Sequence, residues 1–399
     1  MISTQPEIKK FIGCVLLLVL ANIAVYFNSL KGTFQFDDLP LIQSQWVEDL
    51  EAFDRQVRFS AFENRPVVLW TYALNNTLGK NRVFGFHLFN LTVHIGVTLL
   101  IFLIISRTQY LIASRASGFP LATALLFALH PLNTDSVSYI SSRSSLLVTF
   151  FYLLALYLFT GLFSRKNKIP EFNLRWVLFI PILISAYLSI ASKLIGATLP
   201  VLMGLWYLGF IVSTQKPQFA EKFFQPKWIA TLFLLAGALF AGAYIVADSW
   251  LYIARDQGLE LYGRMPYFLM QIKVIVFYYL KLFLFPFNLN VDSGLPFSTP
   301  ASDPLIFLAG LIIIGIIFAV AKGRNLWVTI GFLWFFITLA PTSSIIPLND
   351  LAVEHRTYLP MTLGLCMVVG WGALSGAWRC SILLILLPLF ALGTATRNS

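Results

Sequence analysis

FGFHLFNLTVHIGVTLLIFLIIS, residues 84–106, runs for twenty-three residues without an acid, a lysine or an arginine. An α-helix needs about 20 such residues to cross the roughly 30 Å of hydrocarbon in a bilayer. Similar runs recur along the 399-residue chain, at about 11–30, 118–134, 141–163, 174–190, 193–213, 228–247, 267–286, 304–321, 326–341, 357–376 and 379–395. Only 12% of the residues are charged, where a soluble domain carries about 25%. A soluble α/β enzyme needs polar helix faces, and a barrel needs short alternating segments. Neither pattern is present, so the chain reads as an all-α polytopic membrane protein.

The net charge of +10 does not point to nucleic acid, because the bases are scattered through short loops between apolar runs. One set of loops carries Lys9 and Lys10, Arg107 and Arg115, Arg165 to Arg175, Lys216 to Lys227, Lys322 and Arg324, and Arg379. By the positive-inside rule these are cytoplasmic. Glu7, Glu171 and Glu221 accompany them, and the other fifteen acids fall on the opposite side. The first run follows Lys9-Lys10 and has no small-residue cleavage site, so it reads as a retained signal-anchor with the N-terminus inside. Cys14, Cys366 and Cys380 form no metal or disulfide pattern.

Twelve spans would put Lys322 and Arg324 outside. The charge pattern is restored if 267–286, which contains Gln271, Lys273 and Lys281, is an interfacial or re-entrant helix. About eleven spans then remain. The long external stretches are 31–83, whose QWVEDLEAFDRQVRF (45–59) suggests helices lying on the membrane surface, and 248–303. Any chemistry belongs on that outer face.

FQFDDLPLI (34–42) places Asp37 and Asp38 just outside the first span. The plain reading is a helix cap before Pro40; the chemical one is a general base or a divalent-cation ligand. ALHPLNTDSVSYISSRSSLL (128–147) turns at Pro131. Asp135 there either caps the next helix or supports a site, and Arg143 needs an acid or an anion to offset its position in a span. Lys193, alone in LSIASKLIGATLP (188–200), either snorkels or binds a lipid phosphate. Arg255, Arg264, Gln271 and Lys273, interleaved with tyrosines, form either an aromatic belt or a phosphate cradle. His355 and Arg356 open another span in NDLAVEHRTYLP (349–360). His87 and His94 share a helix face, more simply as bundle hydrogen-bonders than as metal ligands. No nucleotide motif suggests a fuelled pump.

The ordered set of FQFDD, RPVVLWTYALNNTLGKNRVFGFHLFNLTVHIG (65–96), ALHPLNTDSVSYISSRSSLL, LSIASKLIGATLP and VEHRTYLP resembles the membrane region of the transmembrane O-mannosyltransferases, which are often joined to tetratricopeptide repeats. More distantly it resembles other glycosyltransferases of the GT-C class. The resemblance implies a single GT-C membrane domain over 1–399 that takes a sugar, mannose or a similar hexose, from a polyprenyl or dolichyl phosphate. Transfer to an acceptor hydroxyl, on a protein or a glycan, would occur outside and with inversion. It implies that Asp37 or Asp38 is the base, with Asp38 slightly ahead as the nearer to Pro40. Lys193, Arg264, Arg356, Arg143 and Gln271 would serve the donor phosphate, with Asp135, His355 and Arg255 in support. No cofactor or metal is required, although the external acids leave room for a divalent cation. Relatives commonly have an acid where Leu194 stands and a glutamate where Asp135 stands, and the sequence stops at Ser399 soon after the last span, so a repeat region is expected either to be lacking or to have been shortened away. A bacterial cytoplasmic membrane, with the site in the periplasm, is the expected location. A transporter or flippase moving an unchanged substrate, or a scaffold with a dead site, is the rival reading.

Overall fold

A computed structural model describes residues 5–44, 47–57, 65–80, 82–114, 116–163, 172–212, 262–299, 302–345, 347–375 and 381–398. Every regular element among them is helical. Six helices are long and apolar enough to cross a membrane: Glu7–Tyr26, Val83–Leu111, Ile140–Thr160, Arg264–Leu284, Leu305–Gly323 and Glu354–Leu374. The chain divides into two compact units, Met1–Ala197 with Val369–Ser399, and Thr198–Val368.

In the first unit, α1 (Gln5–Tyr26) is followed by α2 (Asp38–Ile42), α3 (Leu50–Val57) and α4 (Pro66–Gly79). The short helices α2 and α3 fall within residues 31–83, the stretch where surface helices were expected. Pro66 starts α4 at the position where a missing N–H costs nothing. Next come α5 (Val83–Leu111), α6 (Phe119–Ala128), α7 (Thr134–Val137), α8 (Arg143–Thr160) and α9 (Phe172–Ser192). Pro131 stops the run after α6, and Asn133 donates to the Phe127 carbonyl at 2.6 Å, so the chain crosses to α8 through tight turns. The core forms where α5 packs on α6 and α8, and α8 on α9. The polar residues of α5, His87, Asn90 and His94, face inward and are buried. In α1, by contrast, Ile12, Leu16, Leu17, Leu20 and Ile23 are exposed, an apolar surface suited to lipid rather than water.

In the second unit, α10 (Leu199–Trp206) precedes α11 (Arg264–Leu284), α12 (Leu305–Gly323), α13 (Leu326–Leu339) and α14 (Glu354–Leu374), whose last residues belong to the first unit. α12 exposes Phe307, Leu311, Ile314 and Phe318 along one stripe. α13 and α14 pack closely at Gly331, where a Cβ would come within 2.7 Å of the Val368 side chain. The final helix of the first unit is α15 (Ser381–Arg397).

The segment expected to lie in the interface is α11, 21 residues long and apolar enough to cross. Two of the three polar groups that argued against a crossing have protein partners, and the third, Lys281, is exposed near the end of the helix. Gln271 is fully buried and donates to the Leu351 carbonyl at 2.8 Å, and Lys273 forms an ion pair with Asp303. Protein neighbours remove much of the cost that lipid would impose on them.

Candidate functional site

The first unit gathers Asp37, Asp38, Tyr139, Ser141, Arg143, Ser144, Ser145, Arg65 and Lys193 along one short stretch of chain, residues 139–145. Arg143 anchors that stretch. Its Nε donates to Asn90 Oδ1 at 2.8 Å, and its two terminal nitrogens donate to Thr71 Oγ1 at 3.3 Å and the Phe86 carbonyl at 3.2 Å. The guanidinium carbon lies 4.3 Å from the centre of the Tyr72 ring and 4.4 Å from that of Phe89. Arg143 is fully buried, and its bonds go to neutral oxygens rather than to Asp135 or Asp38. Cation–π contacts and neutral acceptors enclose the charge expected to serve the donor phosphate, and Arg143 fixes the turn before α8. Tyr72 secures the same turn by donating to the Ile140 carbonyl at 2.6 Å.

The secured turn then grips the aspartates differently. Asp38 Oδ1 accepts the Ser141 N–H at 2.8 Å and the Ser141 hydroxyl at 2.6 Å, and Oδ2 accepts the Gln35 N–H at 3.0 Å. Asp38 is 1% exposed. Burial raises its pKa above the ordinary carboxylate value, and the donors from Ser141 and Gln35 oppose that rise. Asp37 is exposed, and its Oδ2 accepts the Tyr139 hydroxyl at 3.1 Å. Burial pushes the Tyr139 phenol up to about 12, so it remains a proton donor to Asp37 at neutral pH. The two adjacent carboxylates, of which Asp38 was slightly preferred as the base, are thus placed differently. That of Asp38 is a buried clamp, whereas Asp37 presents an accessible oxygen.

Two cations reach the first turn of α8 from different elements. Lys193, just after α9, donates to Ser145 Oγ at 3.0 Å, and Arg65, just before α4, donates to Ser144 Oγ at 3.3 Å. Gly196 allows the turn that carries Lys193 to close, since a Cβ there would lie 2.7 Å from the Ser189 carbonyl carbon. The helix N-terminus adds positive potential at the same place. Asp135 is buried within α7, beside the turn that Asn90 secures through the Val137 carbonyl at 3.2 Å. Arg65, Tyr139 and the three serines were not singled out from sequence. The available signals were an arginine directly before Pro66 and the hydroxyl-rich SYISSRSS.

In the second unit, Arg356 is buried and donates to the Asp350 carbonyl at 2.8 Å and the Leu351 carbonyl at 3.3 Å. Gln271 binds that same Leu351 carbonyl. Arg356 and Gln271, both expected to serve the donor phosphate, thus fix the loop before α14 through its carbonyls. Glu354 Oε1 accepts the Asn290 N–H at 2.6 Å, and His355 is half-buried beside it in sequence. Arg264 is exposed at the start of α11. Arg255 lies outside the described residues.

No family model matches the chain. No solved structure matches it significantly. A protein O-mannosyl-transferase of Caenorhabditis elegans is 30% identical over 207 residues, covering 49% of this chain and 28% of the relative. Mouse protein O-mannosyl-transferase TMTC3 is 29% identical over 192 residues (45% of this chain, 19% of the relative). Human protein O-mannosyl-transferase TMTC1 is 30% identical over 156 residues (36% and 17%). This chain thus spans less than a third of the length of these relatives. All three come from animals, which lends the bacterial placement no support. Over up to about half of its length, this integral membrane chain is similar to protein O-mannosyl-transferases, the family its ordered sequence blocks resemble.

Proposed function

We propose that the chain is the membrane part of a GT-C type glycosyltransferase that moves mannose or a similar hexose from a polyprenyl phosphate to a serine or threonine hydroxyl of a protein on the external face. The observation that carries this reading is the pairing, along residues 139–145, of an accessible carboxylate held by Tyr139 with two cations bonded to Ser144 and Ser145. The relatives, protein O-mannosyl-transferases, support the sugar and the acceptor class.

In the proposed reaction the acceptor oxygen attacks the anomeric carbon from the side opposite the phosphate. The carbon–oxygen bond to phosphate breaks, and its electron pair leaves with the polyprenyl phosphate. Asp37 takes the acceptor proton as the new bond forms. Lys193 and Arg65 offset the charge growing on the phosphate, where preorganised cations are most effective. A single displacement inverts the anomeric centre and needs no nucleophilic side chain. A phosphate leaving group also needs no protonation, so one carboxylate suffices where a glycosidase uses two. Asp38, Tyr139 and Arg143 position this machinery.

The test supplies the chain, in detergent, with polyprenyl-phosphate mannose and a peptide containing serine and threonine. Mannosyl-peptide and free polyprenyl phosphate should appear in equal amounts. Movement of intact donor across a vesicle membrane, with no new glycosidic bond, would instead establish the transporter reading.

A further inference from the structure

The turn that presents Asp37 holds a phenylalanine where glycine is the favoured residue. The Asp38 N–H donates to the Gln35 carbonyl at 2.9 Å, closing a β-turn over Phe36 and Asp37. Phe36 has φ +42°, and Asp37 has φ −72° and ψ −4°. A positive φ at the first central residue of a turn favours glycine, because a Cβ is crowded there. Bonds at both ends hold the conformation: the Gln35 N–H to Asp38 Oδ2 at 3.0 Å, and the Asp37 N–H to the Tyr139 oxygen at 3.4 Å.

Burial does not account for the phenyl ring, which is 72% exposed. Among the described residues its ring contact is with Tyr139, centroids 6.2 Å apart and planes at 86°, and Tyr139 is the residue that holds Asp37. Glycine would form the same turn with less strain, and a polar residue would expose less apolar surface. An exposed aromatic ring in a strained conformation beside a reactive group is the pattern expected where a contact to another molecule maintains it.

We infer that Phe36 is a specificity-determining residue whose open face seats an apolar side chain of the acceptor polypeptide flanking the reacting serine or threonine. The inference rests on the function proposed above. A serine or threonine hydroxyl is only a Cβ away from its backbone. Placing it at Asp37 therefore brings the flanking acceptor residues against the neighbour of Asp37. The ring is exposed on the external stretch, and the acceptor arrives from water, whereas the polyprenyl donor arrives through the bilayer.

Two acceptor peptides test this, identical except for leucine and valine or asparagine and glycine around the serine. Phe36→Gly should leave the unfolding temperature unchanged or raised, because it relieves the turn. It should raise KM for the apolar-flanked peptide about tenfold, the scale of one lost apolar contact, and erase the preference over the polar-flanked one. Donor KM should not move, and Phe36→Leu should fall between. Equal peptide KM in wild type and Phe36→Gly overturns the inference, as does a change confined to donor KM, which would place the ring on the sugar or lipid. Binding of the fluorescently labelled apolar-flanked peptide without donor reads Phe36 independently of turnover. Absence of transfer by wild type defeats the proposed function, whereas equal peptide binding by wild type and Phe36→Gly defeats this inference.

Discussion

Replacing Asp38 by asparagine tests whether that carboxylate is a clamp. The native group accepts three hydrogen bonds, two on Oδ1 from Ser141 and one on Oδ2 from the Gln35 N–H. An amide of the same shape keeps an oxygen for only one side. With the oxygen left on Ser141, the new NH2 faces the Gln35 N–H, and two donors oppose each other at a site 1% exposed. One unsatisfied buried donor costs about 1–3 kcal/mol. The amide also removes the cost of burying a charge, so the net loss should be about 1–2 kcal/mol. Its pH dependence has a definite sign. A carboxyl with a raised pKa in the folded state favours folding least once ionised. Wild type should therefore lose stability relative to Asp38→Asn as pH rises from about 4 through the folded-state value, and level off above it. Thermal unfolding in detergent across that range measures this, and a double-mutant cycle with Ser141→Ala should give a coupling of about 0.5–3 kcal/mol. A variant as stable as wild type at every pH, with no coupling to Ser141, would refute the clamp.

Three other substitutions bear on the same site. Arg143→Met should lower stability by about 2–4 kcal/mol by orphaning Asn90 Oδ1 and the Phe86 carbonyl. It should reduce kcat with little change in donor KM, and an increase in donor KM alone would return Arg143 to the phosphate. Lys193→Met should raise donor KM about tenfold to a hundredfold, the scale of one charge-assisted hydrogen bond; unchanged donor saturation would remove Lys193 from that role. Gly196→Ala should raise donor KM in the same direction without touching a charge, because its Cβ would push the Lys193 turn off the Ser189 backbone. Wild-type kinetics in that variant would show that the turn does not set the position of Lys193.

Sequence alone made the helical membrane class legible, because runs such as 84–106 leave no other class open. It also marked the aspartates, the 128–147 block and Lys193, and the structure brings these together in one unit. What it could not supply was the partner of each charge. Asp38 and Ser141 are separated by about a hundred residues, so nothing local distinguished the clamp from the exposed neighbour. Arg143 read as a charge in need of an anion, yet Asn90, Thr71, Phe86 and two close aromatic rings satisfy it from two helices, α4 and α5. Gln271 and Lys273 made α11 look too polar to cross for the same reason: Leu351 and Asp303 lie far along the chain. Local composition reports the presence of polar groups, and only the fold reports what neutralises them.

The most direct measurement is the rate of mannosyl transfer by Asp37→Asn, with wild type and Asp38→Asn alongside and donor and peptide saturating. Loss of a general base costs about 10²–10⁴-fold. Asp37→Asn should lose that much kcat with unchanged unfolding temperature and donor binding, whereas Asp38→Asn should retain a larger share of activity and lose stability. Near-wild-type kcat in Asp37→Asn, with activity abolished only in Asp38→Asn, would contradict the assignment of Asp37 as the base.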